Sequence, residues 1–351
     1  MKVAIVQNRS FDGVVTSFGQ RCPEVYSAKT LLLTAEGLRE GGHIVLTCEG
    51  DKHLLAELER FMPAGDRGEP GGIVFNMAYG IQGDCRYTHV PAMLELAGIP
   101  YTGSNPLGHA LALDKVVTKT LLRAAGVPTP TDCVMRTGDD AWPNSLRFPL
   151  VVKPRHESTS FGLRLVHAPD ELADAVEAVA TKYQQDALVE EYIDGREVCV
   201  ALLGNEEMEV LPLVEQDFGG RDVRIVTWED KFHKSSVPAG KTCPAPLDED
   251  LAARIRAIAV ATFRACHCRD YARVDLRIDR HGNPFVLEIN SMASLGRDGS
   301  YVIAAAAAGY THAALVNRIL DVAHARYFGT PAPRYGRTAE EADSERGEAI
   351  A

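Results

Sequence analysis

The chain predicts an α/β fold of mixed α+β character, and three observations carry that prediction. Strands and helices alternate through residues 1–108, the pattern of a parallel sheet with helices on its faces. Later segments combine strands of alternating polarity with helices of Leu and Ala spacing, as α+β modules do. A length of 351 residues, with 46% apolar and 24% charged side chains, allows two or three domains with cores of their own.

Taken in order, residues 3–7 form an apolar strand, and residues 27–40 have helical spacing up to the stop at Gly41-Gly42. Residues 43–48 make a second strand, 52–61 a helix and 72–76 a third strand, with a Pro- and Gly-rich loop before it. A helix over 90–97 stops at Gly98, and Gly103-Ser104-Asn105-Pro106 is a turn. One helix is expected over 110–125, carrying Asp114, Lys115 and Lys119 and ended by Gly126-Val127-Pro128. Strands at 150–153, 163–167 and 187–192 accompany a helix at 169–183, and strands at 198–203 and 209–213 follow. The Ala-rich run 248–266 is a long helix, and 301–309 and 311–327 are helical. From Thr330 onward the chain is rich in Pro and charge without periodicity, the composition of a disordered tail.

The most informative stretch is residues 273–290, RVDLRIDRHGNPFVLEIN. Both halves alternate polar and apolar side chains, and Arg280-His281-Gly282-Asn283 between them is turn chemistry. Folded about His281-Gly282, the hairpin sets Asp275 opposite Glu288 and Arg273 opposite Asn290, all on one face. Opposed carboxylates repel unless a cation lies between them. Asp, Glu and Asn oxygens are the hard ligands that Mg²⁺ prefers. The competing account is an ordinary hairpin whose polar face meets water.

Bulk properties narrow the partners. A formal net charge of −11 without any run of Lys or Arg argues against nucleic acid. No apolar run reaches the roughly 18 residues of a membrane span, and the apolar core of MKVAIVQNRS is too short for a signal peptide. A cytoplasmic location with reduced thiols is expected for the eight scattered Cys. Cys266-His267-Cys268 lacks the second cluster of a zinc site and reads as a buried segment ahead of a strand.

Two other stretches carry chemistry. Lys153 ends an apolar strand, and the loop Glu157-Ser158-Thr159-Ser160-Phe161-Gly162 has the small hydroxyl residues that close over phosphate oxygens. A solvated surface loop is the alternative. No GxxxxGK[ST] occurs, which excludes a P-loop, and Gly37, Gly41 and Gly42 form no dinucleotide fingerprint. At Val189-Glu190-Glu191-Tyr192-Ile193 the backbone can meet an adenine, with Glu197 accepting from ribose hydroxyls; an edge strand with solvated charges is the blander account.

These pieces occur in one succession: Asp114-Lys115, Val152-Lys153-Pro154, Val189-Glu190-Glu191, Gly195-Arg196-Glu197, Arg273-Val274-Asp275 and Glu288-Ile289-Asn290. The succession resembles the ATP-grasp superfamily, and within it the D-alanine–D-alanine ligases, over about residues 1 to 325. Pro100-Tyr101-Thr102-Gly103-Ser104 ahead of Leu113-Asp114-Lys115 is especially similar to that family. The resemblance implies a three-domain architecture: an N-terminal parallel-sheet domain over 1–108 and two α+β domains, 109–195 and 196–329, enclosing ATP. Residues 330–351 remain as the tail.

The resemblance further implies ATP and two Mg²⁺ ions, with Mn²⁺ as an alternative, and small amino-acid or carboxylate substrates. Lys115 and Lys153 match the phosphate lysines. Glu190, Glu191 and Ile193 match the adenine hinge, and Glu197 the ribose contact. Asp275, Glu288 and Asn290 match the metal ligands, and Arg273 the arginine that steadies the transferred phosphate. Lys231 looks like a further phosphate lysine of a loop over the site, while Thr159 and Ser160 match the loop that latches against it. Related ligases are commonly dimers.

The chain departs from the family where amino acids bind. Asn8-Arg9-Ser10-Phe11-Asp12-Gly13 stands in place of paired glycines and an acid, with Glu24 the nearest match for that acid. Tyr79-Gly80 and Gly83-Asp84-Cys85-Arg86 replace His-Gly and Gly-Glu-Asp-Gly. Ser291-Met292-Ala293-Ser294 lacks the Pro-Gly of the family turn, leaving Ser294 as the match for a carboxylate-binding serine. Phe232 replaces a latch tyrosine, and Thr159 a latch serine. The expectation is an ATP-dependent carboxylate–amine ligase with altered substrates. Its alternatives are an authentic D-alanine–D-alanine ligase, a non-catalytic ATP-binding protein, and a phosphoryl transferase that forms no amide.

Overall fold

The computed structural model describes residues 1–9, 14–15, 22, 24–221, 224–226 and 240–329. Lys231, Phe232 and the tail from Thr330 lie outside the described residues, as do residues 10–13.

Three strands, β1 (Lys2–Gln7), β2 (Ile44–Glu49) and β3 (Ile73–Asn76), form a parallel sheet in the order β2-β1-β3. Within the central strand residues 3–6 are apolar without interruption because helices cover both faces. Val3 and Ile5 pack with Leu31 and Leu38 of α1 (Ala28–Glu40). Ala4 and Val6 point the other way, onto Leu54 and Leu58 of α2 (Leu54–Phe61) and Val90 and Leu94 of α3 (His89–Leu96). Ser27 caps α1, its hydroxyl accepting from the Thr30 N–H at 3.1 Å.

The single helix expected over 110–125 is two helices, α4 (Pro106–Leu113) and α5 (Lys115–Ala124). Asp114 between them has extended backbone, and its carboxylate accepts from the Val116 and Val117 N–H groups at 3.0 and 3.1 Å. A side chain that caps a new helix competes with continuing the old one. Arg155 locks the break by donating to both Asp114 oxygens, at 2.9 and 2.7 Å.

Next comes an antiparallel sheet in the order β4-β7-β5-β6, from β4 (Asp132–Met135), β5 (Leu150–Pro154), β6 (Arg164–Val166) and β7 (Ala187–Glu191). Helix α6 (Pro169–Tyr183) buries Leu172, Val176 and Val179 against Val152 and Val189 of this sheet. The third sheet runs β11-β10-β8-β12-β13, with β9 beside β8. Its strands are β8 (Gly195–Gly204), β9 (Met208–Val210), β10 (Val214–Asp217), β11 (Gly240–Thr242), β12 (Tyr271–Asp279) and β13 (Pro284–Asn290). The strand expected over 209–213 is cut short because Pro212 has no N–H for the ladder.

Alternation along β8 joins this sheet to two cores. Val198, Val200 and Leu202 face Leu251, Ile255 and Phe263 of α7 (Glu249–Ala265). Cys199, Ala201 and Leu203 face the opposite layer, where α8 (Ser300–Ala307) and α9 (His312–Phe328) lie. Helix α9 also reaches α1, where Asn317 Nδ2 donates to the Gly37 carbonyl at 2.7 Å. A Cβ at Gly37 would stand 2.9 Å from Ala313 Cα, so only glycine allows that approach. Among the described residues no helix is long and apolar enough to cross a membrane.

Asp270 ties several of these pieces together. Its fully buried carboxylate accepts from the Gly103 N–H at 2.8 Å, Asn205 Nδ2 at 3.0 Å and the Arg326 guanidinium at 2.8 and 2.9 Å. Asp270→Ala leaves Arg326 without its counter-ion and should lower stability by about 3 kcal/mol or more. An unchanged urea midpoint would contradict this assignment.

Candidate active site

The hairpin β12–β13 is paired in the register its sequence predicts, Arg273 with Asn290 and Asp275 with Glu288. Its turn is fastened by Asp279, whose Oδ1 accepts from the His281 and Asn283 N–H groups at 2.8 Å each, while Gly282 takes the left-handed backbone. Beyond Asp275 the register slips by one residue at Leu287. Alternation alone does not foresee that bulge, which places Leu287 beside Glu288 on the wall of a cavity of about 960 Å³.

Arg273, Asp275, Glu288 and Asn290 all open onto this cavity. Arg273 grips both Asp275 oxygens at 2.6 and 2.7 Å, and Asn290 Nδ2 donates to the second at 3.0 Å. Lys115, at the first position of α5, stands 3.9 Å from Glu288 and donates to the Glu157 carbonyl. Burial pushes the Lys115 ammonium below its ordinary range even with Glu288 beside it. Two facing carboxylates and an amide make an all-oxygen donor set, which fits a hard divalent cation. Among the described residues no group of three His, Cys, Asp or Glu could hold a metal ion, so this site reaches three protein ligands only by counting Asn290.

Lys153 at the end of β5 lines the same cavity, as do Thr159 and Ser160. Those two hydroxyl residues have consecutive positive φ values of 56° and 57°, a strained conformation for side chains with a Cβ. Glu190, Glu191, Ile193 and Glu197 line the cavity as well. The Glu190 side chain is 2% exposed and bound by Lys153 at 2.5 Å and Lys119 at 3.0 Å, so it serves the lysines. Burial raises the Glu190 pKa, but the two ammonium groups outweigh it and hold the carboxyl below its usual range. Lys119 was foreseen only as a helix residue, although its place four positions after Lys115 puts it on the same face.

Glu24, Tyr79 and Ser294 also line this cavity. Tyr26 and Tyr79 stack with centroids 4.9 Å apart, and Tyr79 touches Tyr87 at 5.4 Å. The Tyr87 hydroxyl donates to the Glu24 carboxylate, which is itself buried. Tyr26 and Tyr87 are site residues the sequence did not disclose, because three tyrosines about 50 and 10 residues apart share no motif. The Cys266 and Cys268 thiols are buried, and burial pushes the first up to about 12.

His109, on α4, is wholly buried and bonds the Ser291 hydroxyl at 2.8 Å, immediately after Asn290. Burial pushes its imidazole down to about 3. The unfolded chain protonates this ring near pH 6.5, whereas the fold keeps it neutral until about 3. Its contribution to stability is therefore complete above about pH 6.5 and declines as acid is added toward 3. His109→Asn should flatten the urea midpoint's pH dependence across that window; identical slopes in variant and wild type would refute the role.

A family model described as the D-ala D-ala ligase C-terminus matches residues 121–321. A Sinorhizobium fredii protein described as uncharacterized protein y4sG is 56% identical over 94% of this chain and 98% of its own. A D-alanine–D-alanine ligase of Moorella thermoacetica is 32% identical over 85% of this chain and 94% of its own, and one of Pelotomaculum thermopropionicum is 34% identical over 67% and 75%. The crystal structure of the Bacillus anthracis D-alanine–D-alanine ligase complexed with ATP superimposes with a TM-score of 0.70 at 22% identity, covering 92% of this chain and 97% of that one. The fold is thus ATP-grasp, and the chain belongs to the D-alanine–D-alanine ligase family of ATP-dependent ligases.

Proposed function

We propose that this protein joins a carboxylate to an amine through an acyl-phosphate at the expense of ATP, with substrates other than two D-alanines. The observation that carries the reading is the convergence of Lys115, Lys153, Arg273, Asp275, Glu288 and Asn290 on one cavity. Asp275, Glu288 and Asn290 would hold two Mg²⁺ ions, or Mn²⁺, whose chemistry is to neutralise charge spread over phosphoryl oxygens.

The chain's own residues then have distinct tasks. Lys115 and Lys153 bind phosphate oxygens, and Glu190 keeps Lys153 charged and aimed. Hinge backbone at Glu191 and Ile193 receives the adenine, and Glu197 the ribose. The substrate carboxylate attacks the γ-phosphorus and ADP leaves; Arg273 stabilises the charge that develops on the transferred group. The amine then attacks the acyl carbon, phosphate departs, and the loop carrying Thr159 and Ser160 helps exclude water. Lys231 is proposed as a further phosphate ligand.

The substrate end supports a changed specificity. Glu24 is matched to an amine and is oriented by Tyr87, while Tyr26 and Tyr79 present a stacked aromatic wall. Such a wall suits a group larger and flatter than methyl. Ser294, the match for a carboxylate-binding serine, lines the same cavity.

Phosphate release should be measured with Mg²⁺-ATP and D- and L-amino acids, singly and in pairs, with mass spectrometry of any amide. Turnover is expected to require a pair other than D-alanine alone. Fastest turnover with D-alanine, giving its dipeptide, would defeat the specificity part. Arg273→Met and Asp275→Asn should each lower kcat by about a hundredfold or more while the protein stays folded; rates within a few-fold of wild type would defeat the roles given them.

A further inference from the structure

Arg277 is the most heavily engaged side chain of the cavity that the proposed chemistry leaves unassigned. It lies on β12 opposite Glu197 of β8, with its side chain only 4% exposed. Nε donates to the Ile193 carbonyl at 2.6 Å, and Nη1 donates to the Glu197 carboxylate at 2.9 Å and the Arg224 carbonyl at 2.6 Å. Nη2 donates to the Gly195 carbonyl at 3.1 Å. The guanidinium lies 4.9 Å from the Tyr192 ring centroid and 6.0 Å from that of Phe218.

Most of these partners belong to residues 192–197, where the chain passes from the four-stranded sheet into the six-stranded one. Strand pairing does not require the charge, since β8 and β12 stay in register along their whole shared length. An apolar side chain would cover Tyr192 and Phe218 as well, without the cost of burying a guanidinium. A planar fork of fixed donors does what an apolar group cannot: it holds a carbonyl and a carboxylate in set directions at once.

We infer that Arg277 is a positioning residue for the nucleotide, clamping the hinge at Ile193 and Gly195 and aiming the Glu197 carboxylate at the ribose hydroxyls. The inference rests on the ATP site proposed above. Acceptors fixed before binding cost no ordering when the nucleotide arrives. The larger part of the effect falls on the sugar, because among the described residues the one charged partner of Arg277 is Glu197, the proposed ribose acceptor across the strands. The hinge carbonyls it holds act on both nucleotides alike.

Calorimetric titration of the full chain with Mg²⁺-ATP and with Mg²⁺-2′-deoxyATP tests this. Arg277→Met should weaken ATP by about tenfold or more and 2′-deoxyATP far less, shrinking the preference for ATP to within about twofold. Arg277→Gln keeps two donors without the charge; it serves if the Met variant does not fold, and should show the same loss of preference. Wild-type ATP affinity in a folded variant would overturn the inference. So would equal weakening of both nucleotides, the mark of a merely structural role. Failure of the wild-type chain to bind ATP would instead overturn the proposed function, and this inference with it.

Discussion

Two carboxylates facing each other across one antiparallel pair are unfavourable until positive charge lies among them. Asp275 and Glu288 are in that position, and much of the third sheet is arranged around it. Arg273 supplies charge from within the same strand, and Lys115 supplies it from the first turn of α5. The break at Asp114 is what brings Lys115 there, since a continuous helix would give that residue another direction. Helix α7 and the α8–α9 layer press on opposite faces of the sheet, so the carboxylates are offered by a stiff support.

A second charged group is shared between stability and binding. Lys119 and Lys153 both hold Glu190, with almost no side-chain exposure in any of the three. Removing Glu190 would leave two buried ammonium groups without the anion they share, a costly state, whereas losing either lysine leaves a matched pair. Of the trio, Lys153 and Glu190 line the cavity, in a chain that is acidic overall. The arrangement explains why an acid belongs beside a lysine that lines the cavity: it keeps the lysine protonated and in place. Burial alone would lower the Lys153 pKa, and Glu190 reverses the sign.

What was legible in the sequence follows from periodicity. A period of two fixes which residues of a hairpin share a face, so Arg273, Asp275, Glu288 and Asn290 were readable as one constellation. The same rule places Arg277 beside Asp275, but an arginine at the edge of a charged run reads as solvated until its partners are known. The parallel sheet was legible because β1 and β3 are apolar on both faces. The strands that escaped notice, β4, β10 and β11, read DCVM, VEQD and GKT, which carry no apolar alternation to mark them. The bulge at Leu287 depends on pairing between strands, and the aromatic wall on Tyr26, Tyr79 and Tyr87, which only the folded chain brings together.

The central claim is that the substrate carboxylate is phosphorylated on this site before the amine arrives. It is tested most directly by labelling the carboxylate of a turned-over substrate with ¹⁸O and weighing the phosphate released from Mg²⁺-ATP. An acyl-phosphate requires one carboxylate oxygen to leave with the phosphate, so the account predicts one ¹⁸O in each phosphate formed with amide. Unlabelled phosphate, formed at the same rate as the amide, would contradict it.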